Sequence, residues 1–232
     1  MCGRFSSFTF RDIKVRWHLQ GGFSFEPRYN IAPSQSVPVI VHHGDGKEAK
    51  LMKWGLVPSW ASDPSVGPRM INARAETLLQ KPSFRELLRR RRCLVPADGF
   101  YEWQRDGKRK VPIWIHFKNK EPFVFAGLWD TWRGANSADV LNSFTIITTE
   151  PNALLRPIHD RMPVIYDLEM GWGWLERRFD SATALRAALR PCSADLLEAW
   201  EVPPLVNCPE NDSPACIQPL AGQTSGAQLR LL

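Results

Sequence analysis

The chain has no C-x-x-C pair and no apolar run long enough to cross a bilayer. The first absence removes the usual zinc-binding spacing, and the scattered histidines do not replace it, so neither a metal nor another cofactor is expected. The second, with the lack of a cationic start followed by an apolar h-region, leads to the expectation of a soluble, intracellular, cytoplasmic protein with no membrane partner. Cysteine is scarce: Cys2, Cys93, Cys192, Cys208 and Cys216 leave one over under any pairing, which argues against a disulfide framework and for a reducing compartment. Internal repeats and linkers are also missing. At 232 residues the chain buries enough surface to fold without staples, as a single domain over 1–220 with a flexible tail over 221–232.

Acidic residues are the minority, 24 against 30 lysines and arginines, for a net charge of +6. That excess suits a polyanionic partner without requiring one. Ten tryptophans sharpen the hint, because aromatic rings beside basic residues are what single-stranded nucleic acid stacks upon, although filling a core is their commoner use.

Hydrophobic periodicity divides the chain. "TFRDIKVRWHL" has helical spacing behind Thr9 as N-cap, which predicts a helix over 10–19. From Val37 to Phe144, short β-branched and aromatic runs separated by turns such as "GDG" and "RDG" predict a largely antiparallel sheet curled on itself, an open barrel flanked by helices in an α+β fold. One helix interrupts it: "SFRELLRRRR" has capping-box spacing between Ser83 and Glu86, puts Phe84, Leu87 and Leu88 on one face, and places Arg89 to Arg92 in a last turn that favours cations. Further helices are expected near 151–156, 167–177, 181–189 and 193–199.

Four stretches are too polar or constrained to be ordinary sheet and turn: "RYNIAPSQ", "INARAET", "DGFYEW" and "IHDRMPVI". Each sets a hydrogen-bonding or ionisable residue in an apolar frame: Asn30, Asn72 with Arg74, Glu102, and His159 with Arg161. Singly, each has an ordinary structural explanation; Asn72 and Arg74 alternate on one strand face, where an ion pair to Glu76 or Glu102 would account for the arginine. Together they suit Cys2. Once Met1 is removed, Cys2 carries an α-amine and a thiol on one framework, a trap for aldehydes that needs a proton acceptor, a proton donor and groups to hold an anionic substrate.

The motifs "MCGRF", "YNIAP", "WGLVPSW", "INARAET", "LVPADGFYEW", "FAGLWD", "TIITTEPN" and "HDRMPVI", in this order, resemble those of the SOS-response-associated peptidase (SRAP) domain family. The resemblance runs from Cys2 to about Ile165, and weakly on to "IQPL". It implies a protein that captures abasic sites in single-stranded DNA through Cys2, whose amine and thiol close a thiazolidine on the opened sugar aldehyde. It further implies Asn72 as the residue that orients the linkage, Glu102 as acid and base, and His159 as the aid to ring opening, imine chemistry and reversal. Arg4, Arg74 and Arg161 match phosphate-contacting arginines, while Asn30, Pro33, Trp60 and Trp103 match residues lining a bent DNA path. The expected protein is a monomer, with possible lyase and autoproteolytic activity. Two other readings fit the same residue types: a cysteine peptidase or self-processing N-terminal nucleophile hydrolase, and a module that binds single-stranded DNA without covalent chemistry.

Overall fold

The computed structural model describes residues 2–44, 46–134 and 139–220; Asp45 of the "GDG" turn and the tail expected over 221–232 lie outside them. The described strands are β1 (Phe5–Ser7), β2 (Arg28–Ile31), β3 (Ser36–His43), β4 (Gly46–Trp54), β5 (Asn72–Arg74), β6 (Arg92–Ala97), β7 (Gly99–Asp106), β8 (Arg109–Phe117), β9 (Phe123–Arg133), β10 (Val140–Thr149), β11 (Met162–Pro163), β12 (Ile165–Tyr166) and β13 (Leu197–Glu201). The α-helices are α1 (Phe10–Arg16), α2 (Pro82–Arg90), α3 (Leu168–Leu175) and α4 (Ala182–Ala188). Among the described residues no helix is long and apolar enough to cross a membrane.

The larger sheet closes. Its order β10-β4-β3-β6-β9 returns to β10 through the β9–β10 pairing, which runs from Val140↔Arg133 to Ile146↔Gly127. Closure removes the free edges that an open barrel would expose. Both faces of these strands are buried, so their side chains alternate between two cores. Val39, Val41, Cys93, Val95, Phe125, Phe144 and Ile146 enter the core shared with the second sheet. Ile40, Leu94, Val124, Ala126 and Ile147 enter the core under the helices. The pairing is mostly antiparallel; β10 runs parallel to β4 and β5.

The second sheet, β13-β8-β7-β1-β2, packs Phe5, Phe100, Ile113, Ile115 and Leu197 into the shared core. The continuous run "CLVPADGFYEW" belongs to both sheets, because the chain leaves the barrel at Asp98 and enters the second sheet at Gly99. The Asp98 carboxylate fixes this corner by accepting from the amides of Phe8 (2.5 Å) and Thr9 (3.0 Å) and from the Thr9 hydroxyl. Gly99 has no room for a side chain, since a Cβ there would lie 2.3 Å from Trp114 Nε1.

Several local expectations are corrected. Thr9 precedes α1 but its hydroxyl serves Asp98 and does not cap the helix. The helix stops at Arg16, where His18 takes φ 48° and Leu19 N–H bonds Lys14 O, a Schellman closure. α2 starts at Pro82, whose ring suits the first helical position, so Ser83 is not its N-cap. Arg92 is not in the helix end: it opens β6 and lies buried against Trp174, 4.7 Å from the ring centroid. Residues 153–158 form turns where a helix over 151–156 is expected, and 193–199 divides into a short 3-10 turn (Ala194–Leu196) and β13, because pairing with β8 puts Leu197 and Ala199 into the core. Arg28–Ile31, set apart as too polar for sheet, forms β2 beside β1.

Candidate functional site

β1 runs antiparallel to β7 with Phe5 opposite Phe100 and Ser6 opposite Gly99, and Tyr101 N–H extends the ladder to Arg4 O at 3.0 Å. Continuing that register carries the N-terminal residues alongside Glu102. Cys2 is buried, and its carbonyl oxygen accepts a 2.8 Å hydrogen bond from Asn72 Nδ2. Asn72 is held in turn by β5, which pairs parallel to β10 with Asn72 beside Ile146.

Glu102 is 2 % exposed, and burial pushes its carboxyl up to about 7. Such a group exchanges a proton near neutral pH, where an ordinary glutamate stays ionised. Across from it, His159 Nε2 lies 3.8 Å from Glu102 Oε2. The His159 amide is anchored to Leu155 O at 2.8 Å, and the Arg161 amide donates to His159 Nδ1 at 3.0 Å. Nδ1 is therefore the acceptor of the neutral ring and Nε2 carries the proton, facing Glu102. Asp160 Oδ1, 2.9 Å from Nδ1, stands ready to stabilise the imidazolium, but its side chain is 86 % exposed and the charge is screened. Partial burial shifts the balance the other way and lowers the His159 pKa. The Cys2 thiol is held far above its ordinary pKa, first by burial and then by the nearby Glu102 charge. The site thus holds a protonated thiol, a carboxyl poised between its two states, and a neutral imidazole facing that carboxyl.

Around this centre the remaining candidates take different places. Arg161 makes a two-pronged pair with Glu76, at 2.7 and 3.0 Å, and donates to Thr148 O at 2.7 Å. Glu76 therefore belongs to Arg161, not to Asn72 or Arg74, and Arg74 is exposed. Arg4 Nη1 donates to Asn30 Oδ1 (2.8 Å) and Val206 O (2.7 Å), and its guanidinium lies 5.9 Å from the Trp103 ring centroid. Asn30 is fully buried; its Nδ2 donates to the carbonyls of Val206, Cys208 and Asn211. That geometry makes Asn30 a support for Arg4, with its amide held by the protein's own carbonyls. Trp103 is half-buried, with Nε1 donating to Asn207 Oδ1 at 2.7 Å. Pro33 is half-buried in the turn after β2. Trp60 is 70 % exposed on a loop pinned by Val57 N–H to Ser143 Oγ (2.8 Å) and Ser59 N–H to Asp130 Oδ2 (2.7 Å). Cys2, Asn72, Glu102 and His159 are thus brought together. Sequence reasoning missed the Glu76–Arg161 clamp, although "INARAET" contains the acid, and it missed the 206–211 segment, whose backbone carbonyls carry no side-chain signal. Among the described residues no three histidine, cysteine, aspartate or glutamate side chains are grouped as a metal site.

Comparison with known proteins gives the family of the chain. Residues 1–209 match the model of the SOS response associated peptidase (SRAP) family. The abasic site processing protein YoqW of Bacillus subtilis (strain 168) is 44 % identical over 223 residues, covering 94 % of this chain and 99 % of its own. The abasic site processing protein HMCES of Xenopus tropicalis is 32 % identical over 211 residues, covering 72 % of this chain and 63 % of its own. A crystal structure of a protein from Bacteroides thetaiotaomicron superposes with TM-score 0.84 at 27 % identity, covering 94 % of this chain and all of that one. On the family match and these relatives together, the chain belongs to the SOS response associated peptidase (SRAP) family.

Proposed function

We propose that this protein processes abasic sites in DNA, and that it does so by covalent capture through Cys2 once Met1 is removed. The observation that carries the reading is the tether from Asn72 to the Cys2 carbonyl, which holds the N-terminal residue beside the Glu102–His159 pair. The two relatives named above are called abasic site processing proteins, which supports the substrate class.

Glu102 as carboxylate takes a proton from the α-ammonium group of Cys2, and the freed amine attacks the aldehyde carbon of the ring-opened sugar. A carbinolamine forms. Glu102, now carrying the proton it took, gives it to the departing hydroxyl, which leaves as water, and takes one back from the nitrogen, so that an imine remains beside the neutral His159 ring. The Cys2 sulfur then adds to the imine carbon, its proton passing to the nitrogen by way of the same acid–base pair, and a five-membered thiazolidine closes. The net change is aldehyde plus aminothiol to thiazolidine plus one water. An imine left open would act as an electron sink for β-elimination and strand scission; sulfur addition removes that sink and the strand survives.

The order of amine first and sulfur second follows from the state of the thiol. A peptidase cysteine works as a thiolate beside an imidazolium that lowers its pKa. Here burial and Glu102 raise the Cys2 thiol, and His159 directs Nε2 to Glu102. Autocatalytic removal of Met1 would be the peptide chemistry compatible with this site. Single-stranded DNA is the expected form of the substrate, with the exposed Trp60 ring as a stacking face.

The test is a denaturing gel of the Met1-processed protein on single-stranded DNA carrying one uracil, with and without uracil excision, beside Cys2→Ala. A heat-stable shifted band that needs both the abasic site and Cys2 is expected. Its absence from protein with a verified N-terminal cysteine overturns the reading.

A further inference from the structure

Between α2, α4 and the end of α3 lies a run of cations that the capture chemistry does not use. One cavity of about 540 Å³ is lined by Arg85, Arg89 and Arg177, with the buried Arg92 also in its wall. A second, of about 470 Å³, carries Arg186 and Arg190. Leu79 and Leu185 line both, so the two cavities adjoin and form the two halves of one arginine-rimmed surface, here called the groove. Glu76 also lines the second cavity, and Glu76 is the carboxylate that clamps Arg161, two residues beyond His159. The second cavity therefore reaches the Glu76–Arg161 pair.

Arg85, Arg89, Arg177, Arg186 and Arg190 are all exposed, and among the described residues none of them makes an ion pair. Their neighbours Arg90, Arg92 and Arg178 are each tied to a carboxylate. The acids of the groove are mostly engaged, Asp180 with Arg92 and Glu76 with Arg161. A positive surface without internal partners results. Arg177 adds an independent sign. It follows the last turn of α3 with φ 57°, while Arg178 N–H bonds Gly173 O at 3.0 Å, so it occupies the left-handed position that glycine fills at least cost. A side chain there carries backbone strain that glycine would avoid, and the residue that carries it lines the groove.

We propose that this groove is a second DNA-contact surface, which takes the sugar–phosphate backbone of the single strand running on from the abasic site. The five free arginines meet its phosphates, and the exposed Leu79 among them offers apolar surface to a sugar or base face that a duplex keeps inside. This inference rests on the abasic-site reading for the position of the strand, but its test does not depend on capture.

The experiment measures non-covalent binding of undamaged oligonucleotides by fluorescence anisotropy across a salt titration. It compares a short oligonucleotide with others extended on the 5′ or the 3′ side, for the native protein and for Arg85→Gln/Arg89→Gln/Arg177→Gln. Extension on one side is expected to tighten native binding, and the triple variant is expected to lose that gain. Its slope of log affinity against log salt should be shallower by about 0.7 for each phosphate left without its arginine, or about 2 in all. Arg186→Gln/Arg190→Gln, on a different helix and its end, should lose part of the same gain. Equal affinities and slopes for native and variant proteins on every extended oligonucleotide overturn the groove. Crosslinking of a short abasic oligonucleotide at saturation separates the two readings. A crosslink with an unchanged salt slope sinks the groove alone, and a changed slope with no crosslink sinks capture and leaves the groove standing.

Discussion

Asn72 and Cys2 stand 70 positions apart in the chain and are joined by a single 2.8 Å hydrogen bond from the Asn72 amide to the Cys2 carbonyl. The bond links the start of one sheet to a short strand of the barrel, and it holds the backbone of Cys2. Asn72→Ala removes the donor and leaves a buried carbonyl without that partner. A neutral hydrogen bond of this kind is worth about 1 kcal/mol, so crosslink formation should slow by roughly 5- to 10-fold. The measurement is a single-turnover time course on abasic single-stranded DNA, and an unchanged rate would remove Asn72 from the mechanism.

Glu102 couples activity to stability. Its carboxyl is raised by burial from an ordinary glutamate value to about 7, so the folded protein holds the proton more tightly than the unfolded chain does. The stability this contributes is fully present below the unfolded pKa and is lost as pH rises through about 7. Capture needs the carboxylate, so the crosslinking rate should rise over the same interval. Glu102→Gln keeps the shape without the charge. It should crosslink slowly at every pH and should melt a few degrees above the native protein at pH 8 but not at pH 5, by a difference on the order of 3 kcal/mol at most. Parallel melting curves at the two pH values decide this, and a variant less stable than the native protein at pH 8 would contradict the assignment.

Trp60 offers a separate reading of affinity. Its side chain is 70 % exposed and rests on a loop whose own contacts are made by Ser59, Val57 and Ala61 backbone atoms, so Trp60→Ala should leave thermal stability unchanged. Loss of one stacked base is worth about 1–3 kcal/mol, which weakens single-strand binding by roughly 5- to 150-fold. The salt slope should stay as it was, because every phosphate keeps its cationic partner. A change in slope with no change in affinity would show that Trp60 does not stack.

The clustering of the candidate site was legible because each of its residues stands next to apolar ones: Asn72 in "INARAET", Glu102 in "GFYEW", His159 in "IHDRMPVI". Polar groups in such frames need partners, and here they find one another. Alternation likewise exposed the barrel strands, though not their closure, which depends on β9 and β10 pairing over seven residues. What stayed hidden depends on distant backbone. Asn30 reads as an available amide until the 206–211 carbonyls saturate it. Arg92 reads as one of four arginines at a helix end, yet its guanidinium lies under Trp174 and pairs with Asp180. β13 reads as helix from "SADLLEAW", and its pairing with β8 overrides that propensity.

Gly99 ties the corner between the sheets to the chemistry three residues further on. The corner depends on the close approach of its Cα to the Trp114 ring, where an added Cβ would stand 2.3 Å from Nε1, 2.4 Å from Cε2 and 2.7 Å from Cζ2. Trp114 has little freedom to retreat: Nε1 donates to Ser6 Oγ at 3.1 Å, and the ring stacks on His116 with centroids 4.4 Å apart. Gly99→Ala must therefore push β7 and β8 apart or break the Ser6 bond, and either response should destabilise by about 2–3 kcal/mol. Ser6 faces Gly99 across the β1–β7 pair, so the same displacement moves the strand that carries Cys2 relative to Glu102. The variant should show both a lowered denaturation midpoint and a crosslinking rate reduced at temperatures where it is fully folded. If it melts early yet captures abasic DNA at the native rate when folded, the corner serves stability alone and the position of Cys2 is set by Asn72.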